Sequence, residues 1–178
     1  MPTVIQVAVL ACKSVIAVLL LAAGGAKLAD LPGFASTVRL FWPVPRRGSL
    51  LLAAGIAAGE LAAGAVSLSV PQVGWPNAVV LVICVAFLVT WTVGYVRHRG
   101  RSCRCFGALS ARGFDRTGIV RSAVLVLAAL AALAPVPTRA VQLGLGGQLA
   151  LLAGGALIAC AAFSAAAAVG RSRVLRQA

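Results

Sequence analysis

Long apolar runs divide this chain into five segments that are each long enough to cross a bilayer. They cover residues 4–26, 49–70, 77–96, 118–134 and 147–169. A transmembrane helix needs about 20 predominantly apolar residues, within a range of about 17–25. Lipid-exposed backbone must satisfy its own hydrogen bonds, so all five segments are predicted to be α-helices. The expected fold is an all-α integral membrane bundle.

The connection after the first span has a different pattern, in which large apolar residues are mixed with polar ones. Leu31, Phe34 and Phe41 lie on either side of Arg39, and Trp42 precedes two prolines. This spacing predicts a short amphipathic piece that lies at the membrane interface. Trp42 is expected at the level of the lipid headgroups.

The composition supports the same class of protein. The chain has 178 residues, of which 61% are hydrophobic and 11% charged, whereas a soluble domain carries about 25% charged residues. The formal net charge of +13 would suit nucleic acid. However, the basic residues occupy short connections between apolar spans, where they act as topology signals. We predict one transmembrane domain over residues 1–178, a multi-pass protein of the bacterial inner membrane, with the lipid bilayer and not nucleic acid as its surroundings.

The basic residues also predict the orientation of the bundle. All of them except Lys13 and Arg139 fall in the connection after span one, in or just after the connection following span three, or in the tail. Cytoplasmic loops carry an excess of lysine and arginine. The pattern therefore predicts five spans with the N-terminus outside and the C-terminus inside. No lysine or arginine precedes Lys13, so span one is expected to be retained rather than cleaved as a signal peptide.

Two ionisable residues fall near the centres of predicted spans. Lys13 lies in the first span and Glu60 in the second, at similar depth in antiparallel segments. An isolated charge there costs about 2.5–3.5 kcal/mol, and such residues normally face the bundle interior. We expect them to face one another, either as a proton relay or ligand contact or as a fold-specifying ion pair. Gly55 and Gly59 are expected to allow close helix approach beside Glu60.

The candidate chemistry lies between the third and fourth spans. Cys103 and Cys105 flank Arg104, and Arg97, Arg99 and Arg101 precede them. Nearby cations lower a thiol pKa and favour the reactive thiolate. At the predicted cytoplasmic face a stable structural disulfide is uncommon, so a cycling dithiol or a metal site is expected. His98 with the two cysteines would give three ligands for zinc or copper, but a structural zinc site needs four, which favours the dithiol.

The remaining cysteines lie inside apolar spans. Cys12, Cys84 and Cys160 belong to spans one, three and five. A cysteine in an apolar helix usually serves as a small packing residue. Cys12 and Cys84 fall at similar depth, so a second thiol pair that exchanges electrons with the loop pair is the alternative.

Several segments together resemble one protein family. Cys103-Arg104-Cys105-Phe106-Gly107 resembles the C-x-C-F-G motif of the MauE family, within the wider DoxX-like group of membrane proteins. Gly24–Asp30, which contains Lys27, resembles the G-x-x-K-L segment of that group. Glu60-Leu61 followed by Gly64 resembles its acidic second span. Arg121-Ser122 resembles an Arg-Asn pair at the start of the fourth span, with Ser in place of Asn. The resemblance covers residues from about Gly24 to Leu130.

The resemblance implies a four-helix DoxX-like core with one further helix. The family is linked to maturation of methylamine dehydrogenase, a periplasmic enzyme rich in disulfides, and works there with a thioredoxin-like partner. The implied role is disulfide formation or the transfer of reducing equivalents across the membrane to a partner protein, as a component of a thiol–disulfide oxidoreductase. One of Cys103 and Cys105 would attack a partner disulfide and the other would resolve the mixed disulfide. The supporting residues are Arg101, Arg104, Phe106, Gly107 and Arg121.

Two other classes of function remain open from the sequence. One is a non-catalytic subunit that anchors or stabilises a membrane complex. The other is a small transporter or metal-binding protein in which Lys13 and Glu60 line the path. Whether the protein is an enzyme is left open, and no cofactor is certain. A quinone is an option for which no residue motif argues.

Overall fold

The computed structural model describes residues 4–69, 74–99 and 113–134, and these residues form five α-helices. They are α1 (Val4–Ala29), α2 (Leu31–Phe41), α3 (Arg46–Ser69), α4 (Gly74–Arg97) and α5 (Arg116–Ala131). The first four predicted spans correspond to α1, α3, α4 and α5. The fifth predicted span, 147–169, lies outside the described residues.

Three of these helices are long and apolar enough to cross a membrane, namely α1, α3 and α4. α5 has 16 residues and is shorter than its predicted span. The all-helical, multi-pass class expected from the apolar pattern is therefore confirmed at this level. The full count of five spans stays a prediction.

Two helices begin at aspartate caps. The Asp30 carboxylate accepts a hydrogen bond from the Gly33 backbone N–H at 3.1 Å, and the Asp115 carboxylate accepts one from Gly118 at 2.8 Å. An aspartate at this position satisfies a backbone donor that the first helical turn leaves free. The chain has three acidic residues, so two of them cap helices and the third is Glu60.

α1 and α3 pack closely, and glycines make the approach possible. A Cβ atom on Gly24 would meet the Ala57 carbonyl oxygen at 2.9 Å, and one on Gly64 would meet the Ala17 carbonyl oxygen at 2.9 Å. Gly55 and Gly59 were expected to do this work beside Glu60, and that expectation is wrong. Both are exposed, and among the described residues nothing lies within 4 Å of a Cβ built at either, because they lie on the face of α3 away from α1.

α2 confirms the short amphipathic piece expected after the first span. Its buried side packs Phe34, Ala35 and Val38 together with Ala53 of α3, while Trp42 at its end is 61% exposed. The position of α2 relative to a membrane surface stays a prediction. The packing places α2 along the first half of α3, between the end of α1 and the start of α3.

The largest apolar cluster joins the long helices to α5. It is formed by Ile16, Leu20, Ala63, Val80, Cys84, Ala129 and Ala132. Most of these side chains are small or of medium size, which suits closely packed helices in lipid. The cluster holds α1, α3, α4 and α5 around one interior.

Candidate functional site

A buried ion pair joins the last turn of α1 to α3. The Lys27 Nζ atom donates a hydrogen bond to Glu60 Oε2 at 2.5 Å, linking α1 to α3. The Lys27 side chain is 0% exposed and the Glu60 side chain 3%. Buried charges are stable only when paired, so each residue requires the other.

This pairing corrects the expectation that Lys13 faces Glu60. Lys13 lies about 14 positions before Lys27 in α1, which is about 21 Å along a helix at 1.5 Å per residue. Lys13 is also buried, but the cation at Glu60 is Lys27. The same finding changes the interpretation of Lys27, which the charge pattern counted among the loop residues that signal topology. It lies in the last turn of α1 inside the bundle.

Two aromatic rings lie close to the Lys27 ammonium. Its Nζ lies 4.6 Å from the centroid of the Phe87 ring and 5.3 Å from that of Phe34. A cation over an aromatic face is attracted by the ring quadrupole, and the attraction grows when the cation is desolvated. Lys27 on α1 is thus enclosed by Glu60 on α3, Phe34 on α2 and Phe87 on α4. The site ties four helices together.

The ion pair lies beside the junction between α1 and α2. α1 ends at Ala29, Asp30 caps α2, and Pro32 occupies the first turn of that helix. Proline is accepted there because the first-turn N–H has no helical partner. The change of direction at this junction brings Phe34 of α2 close to Lys27 of α1. The site is therefore formed by the G-x-x-K-L segment together with the helix cap that follows it. The sequence showed this segment but gave no sign that Phe34 and Phe87 belong to it.

A second buried polar contact lies between α3 and α4. The Ser67 hydroxyl donates to Asn77 Oδ1 at 3.3 Å, and both residues are about 4% exposed. Interhelical hydrogen bonds of this kind contribute about 0.6–2 kcal/mol in membranes. Sequence reasoning missed this pair, although an asparagine at the start of an uncharged span is a visible signal.

An aromatic cluster joins the end of α4 to the start of α5. The Phe114 ring packs edge-on against Trp91 at 5.3 Å and against Phe41 of α2 at 5.9 Å, and His98 packs on Phe41 at 5.7 Å. Edge-to-face pairs add about 0.5–1.5 kcal/mol beyond the area that they bury. The cluster holds residues on both sides of the connection that carries the C-x-C sequence.

Two arginines converge on one hydroxyl at the same place. The Arg116 Nε–H donates to the Tyr95 hydroxyl oxygen at 2.9 Å, and Arg99 donates to the same oxygen. The Arg99 guanidinium also lies 4.2 Å from the centroid of the Tyr95 ring. Arg99 and Arg116 are exposed, so two cations are held side by side at the rim of the bundle.

The remaining predicted site residues are placed only in part. Arg121 is exposed on α5, and the neighbouring Ser122 hydroxyl donates to the Gly118 carbonyl oxygen. The other residues named for the loop site lie outside the described residues: Arg101, Cys103, Arg104, Cys105, Phe106 and Gly107. The dithiol and the alternative metal site with His98 therefore stay predictions.

The two described cysteines have free thiols. Cys84 is 1% exposed within the main apolar cluster, which confirms its interpretation as a packing residue. Cys12 is half-buried in α1. Cys160 lies outside the described residues.

Comparison with known protein families identifies the family of this chain. A family model described as methylamine utilisation protein MauE matches residues 5–135, well over half of the chain. The matched range contains α2 to α5, all of α1 except Val4, and the connection with both loop cysteines. No curated protein and no solved structure matches the chain significantly.

Proposed function

The chain belongs to the MauE family, and we propose that it exchanges thiols and disulfides with a partner protein at the membrane surface through Cys103 and Cys105. The observation that carries the proposal is the C-x-C-F-G sequence in the connection between α4 and α5. Two cysteines separated by one residue in a basic loop are rarely needed for packing, whereas thiol exchange uses a pair of neighbouring thiols.

The surroundings of the connection support a reactive thiol pair. Phe114 and His98 both pack on Phe41, so the connection leaves α4 and returns to α5 at one place. Arg99 and Arg116 stand at its two ends. Positive charge close to a thiol lowers its pKa and raises the thiolate fraction at neutral pH.

The proposed exchange proceeds in two steps. One loop thiolate attacks a sulfur of the partner disulfide, which forms a mixed disulfide and releases the other partner sulfur as a thiolate. The second loop thiol, after losing its proton, attacks the mixed disulfide and releases the partner's remaining sulfur. Two electrons pass from the loop pair to the partner, and a Cys103–Cys105 disulfide forms. The reverse sequence would oxidise the partner.

The expected partner is a thioredoxin-like protein, as the family resemblance implies. An anchoring subunit is the competing function, and one observation favours it. The most completely built polar site of the described bundle, Lys27 with Glu60, is a closed ion pair that serves to hold helices. A transporter in which Lys13 and Glu60 line one path is not favoured, because the Glu60 carboxylate is paired with Lys27.

Trapping of a mixed disulfide in native membranes tests the proposal. Cys103→Ser and Cys105→Ser variants each keep one loop thiol, so at least one should accumulate a covalent adduct that dithiothreitol releases. The Cys12→Ser variant is the matched control and should trap nothing beyond the wild-type level. An adduct of the same size in the double variant Cys103→Ser/Cys105→Ser, or no adduct in either single variant, would favour the anchoring subunit instead.

A further inference from the structure

We propose that Arg99, Arg116 and Tyr95 form a binding site for the phosphate of an anionic phospholipid headgroup. The inference is independent of the thiol chemistry proposed above. It starts from the two guanidinium groups that donate to one phenol oxygen at the ends of α4 and α5.

The arrangement concentrates positive charge. Among the described residues, neither Arg99 nor Arg116 forms a salt bridge with a carboxylate. Asp115 is the nearest acidic residue in sequence, and its carboxylate caps α5. Like charges held together repel one another, and a bound anion offsets that repulsion.

The chemistry of the three side chains suits a phosphate group. A guanidinium offers a planar fork of donors that matches phosphate oxygens, and two forks can hold one phosphate from two sides. The Tyr95 hydroxyl oxygen accepts from both arginines and keeps the two forks together. Its own O–H remains as a third donor.

The location favours a lipid headgroup as the source of the phosphate. Tyr95 follows the buried cluster of Trp91 and Phe114 by one helical turn and is itself only half-buried, and tyrosine is enriched at the membrane–water interface. α4, which carries Tyr95, is one of the helices long and apolar enough to cross the bilayer. Its last turn therefore places Tyr95 at headgroup depth, with Arg99 one turn farther along the chain.

Native mass spectrometry of the full chain in a neutral detergent tests the proposal. Dioleoyl phosphatidylglycerol is the probe, dioleoyl phosphatidylcholine the zwitterionic comparison and inorganic phosphate the competitor. The wild-type chain should retain one phosphatidylglycerol in preference to phosphatidylcholine. The Arg99→Gln/Arg116→Gln variant should lose about tenfold or more in affinity, since charge-assisted hydrogen bonds are the strong ones.

The matched control is Arg46→Gln/Arg47→Gln, which removes two charges at the start of α3 and leaves Tyr95 untouched. Its affinity should stay within about twofold of wild type, because in detergent there is no charged lipid surface. An equal loss in both variants would overturn the site, as would equal retention of the two lipids. Displacement of the lipid by an equal concentration of inorganic phosphate would assign the site to free phosphate and overturn the lipid proposal.

A single variant tests the proposal if the double variant fails to fold. The single variant Arg116→Gln removes one fork and leaves the Tyr95 contact with Arg99 in place. Its affinity for phosphatidylglycerol should fall by about threefold or more, with the elution volume and the tryptophan fluorescence unchanged. Unchanged affinity in this variant would overturn the proposal.

Discussion

Lys27 and Glu60 are the residues whose individual loss should cost this fold most. Their side chains are buried at the junction of α1, α2, α3 and α4, with a contact of 2.5 Å and two phenyl rings around the cation. Removing one member of a buried pair leaves an uncompensated charge, whereas replacing both with apolar groups is often neutral. The pair therefore determines which faces of α1 and α3 pack against each other.

Single substitutions at the pair should be far more harmful than the double one. Glu60→Leu or Lys27→Leu is expected to lower the free energy of unfolding by about 3–5 kcal/mol, and the double variant should recover a large part of it. Mixed-detergent denaturation with a tryptophan fluorescence readout measures this coupling.

Lys13 supplies the control for the same double-mutant cycle. The effects of Lys13→Leu and Glu60→Leu should add, within about 0.5 kcal/mol, because Lys13 lies about 21 Å along α1 from the pair. Coupling of Lys13 with Glu60, or additivity of Lys27 with Glu60, would contradict the pairing that the structure gives.

At the scale of helices, two glycines set the distance between α1 and α3. Gly24 faces the Ala57 carbonyl and the Leu61 side chain, and Gly64 faces the Ala17 carbonyl and the Leu21 side chain. A backbone carbonyl cannot move aside as a flexible side chain can. The close approach at these positions sets the register that brings Lys27 opposite Glu60.

Alanine substitutions should therefore divide the α3 glycines into two classes. Gly64→Ala, like Gly24→Ala in α1, is expected to destabilise the bundle by about 1–3 kcal/mol through overpacking. Gly55→Ala and Gly59→Ala are the matched controls, and each should be neutral or stabilising by about 0.5–1 kcal/mol, since alanine is the better helix former and open space surrounds both positions. Thermal unfolding in detergent measures all four. Equal destabilisation at Gly55 and Gly64 would show that α3 presents a different face to α1.

The sequence predicted elements better than it predicted contacts between them. Apolar run lengths placed α1, α3, α4 and α5 to within a few residues, because burial in lipid depends on length and composition alone. The partner of Glu60 could not be read in this way. It depends on helix register and rotation, which Gly24 and Gly64 set through packing, and the more obvious Gly55-x-x-x-Gly59 pattern pointed to the wrong face.

At the scale of the whole molecule, the described helices place charge and aromatic residues at one end. Phe41 joins the end of α2 to His98 after α4 and to Phe114 before α5, and α3 begins at Arg46 just after α2. The arginines at these helix ends therefore meet at one end of the bundle, as the charge pattern predicts for a cytoplasmic face. The connection that carries Cys103 and Cys105 leaves from the same end.

The pH dependence of cysteine alkylation tests most directly whether the loop pair is the reactive group of this protein. Iodoacetamide labelling of the full chain in detergent can be followed site by site, because trypsin cleaves after Arg104 and separates Cys103 from Cys105. The account predicts that at least one of them reaches half of its maximal labelling rate below about pH 7.5, against about 8.5 for a free thiol, and that Arg101→Gln, which keeps the trypsin site after Arg104, raises this midpoint. Cys84, which is 1% exposed, should be labelled only after denaturation in dodecyl sulfate. A midpoint at or above about pH 8.5 for both loop cysteines would contradict the account.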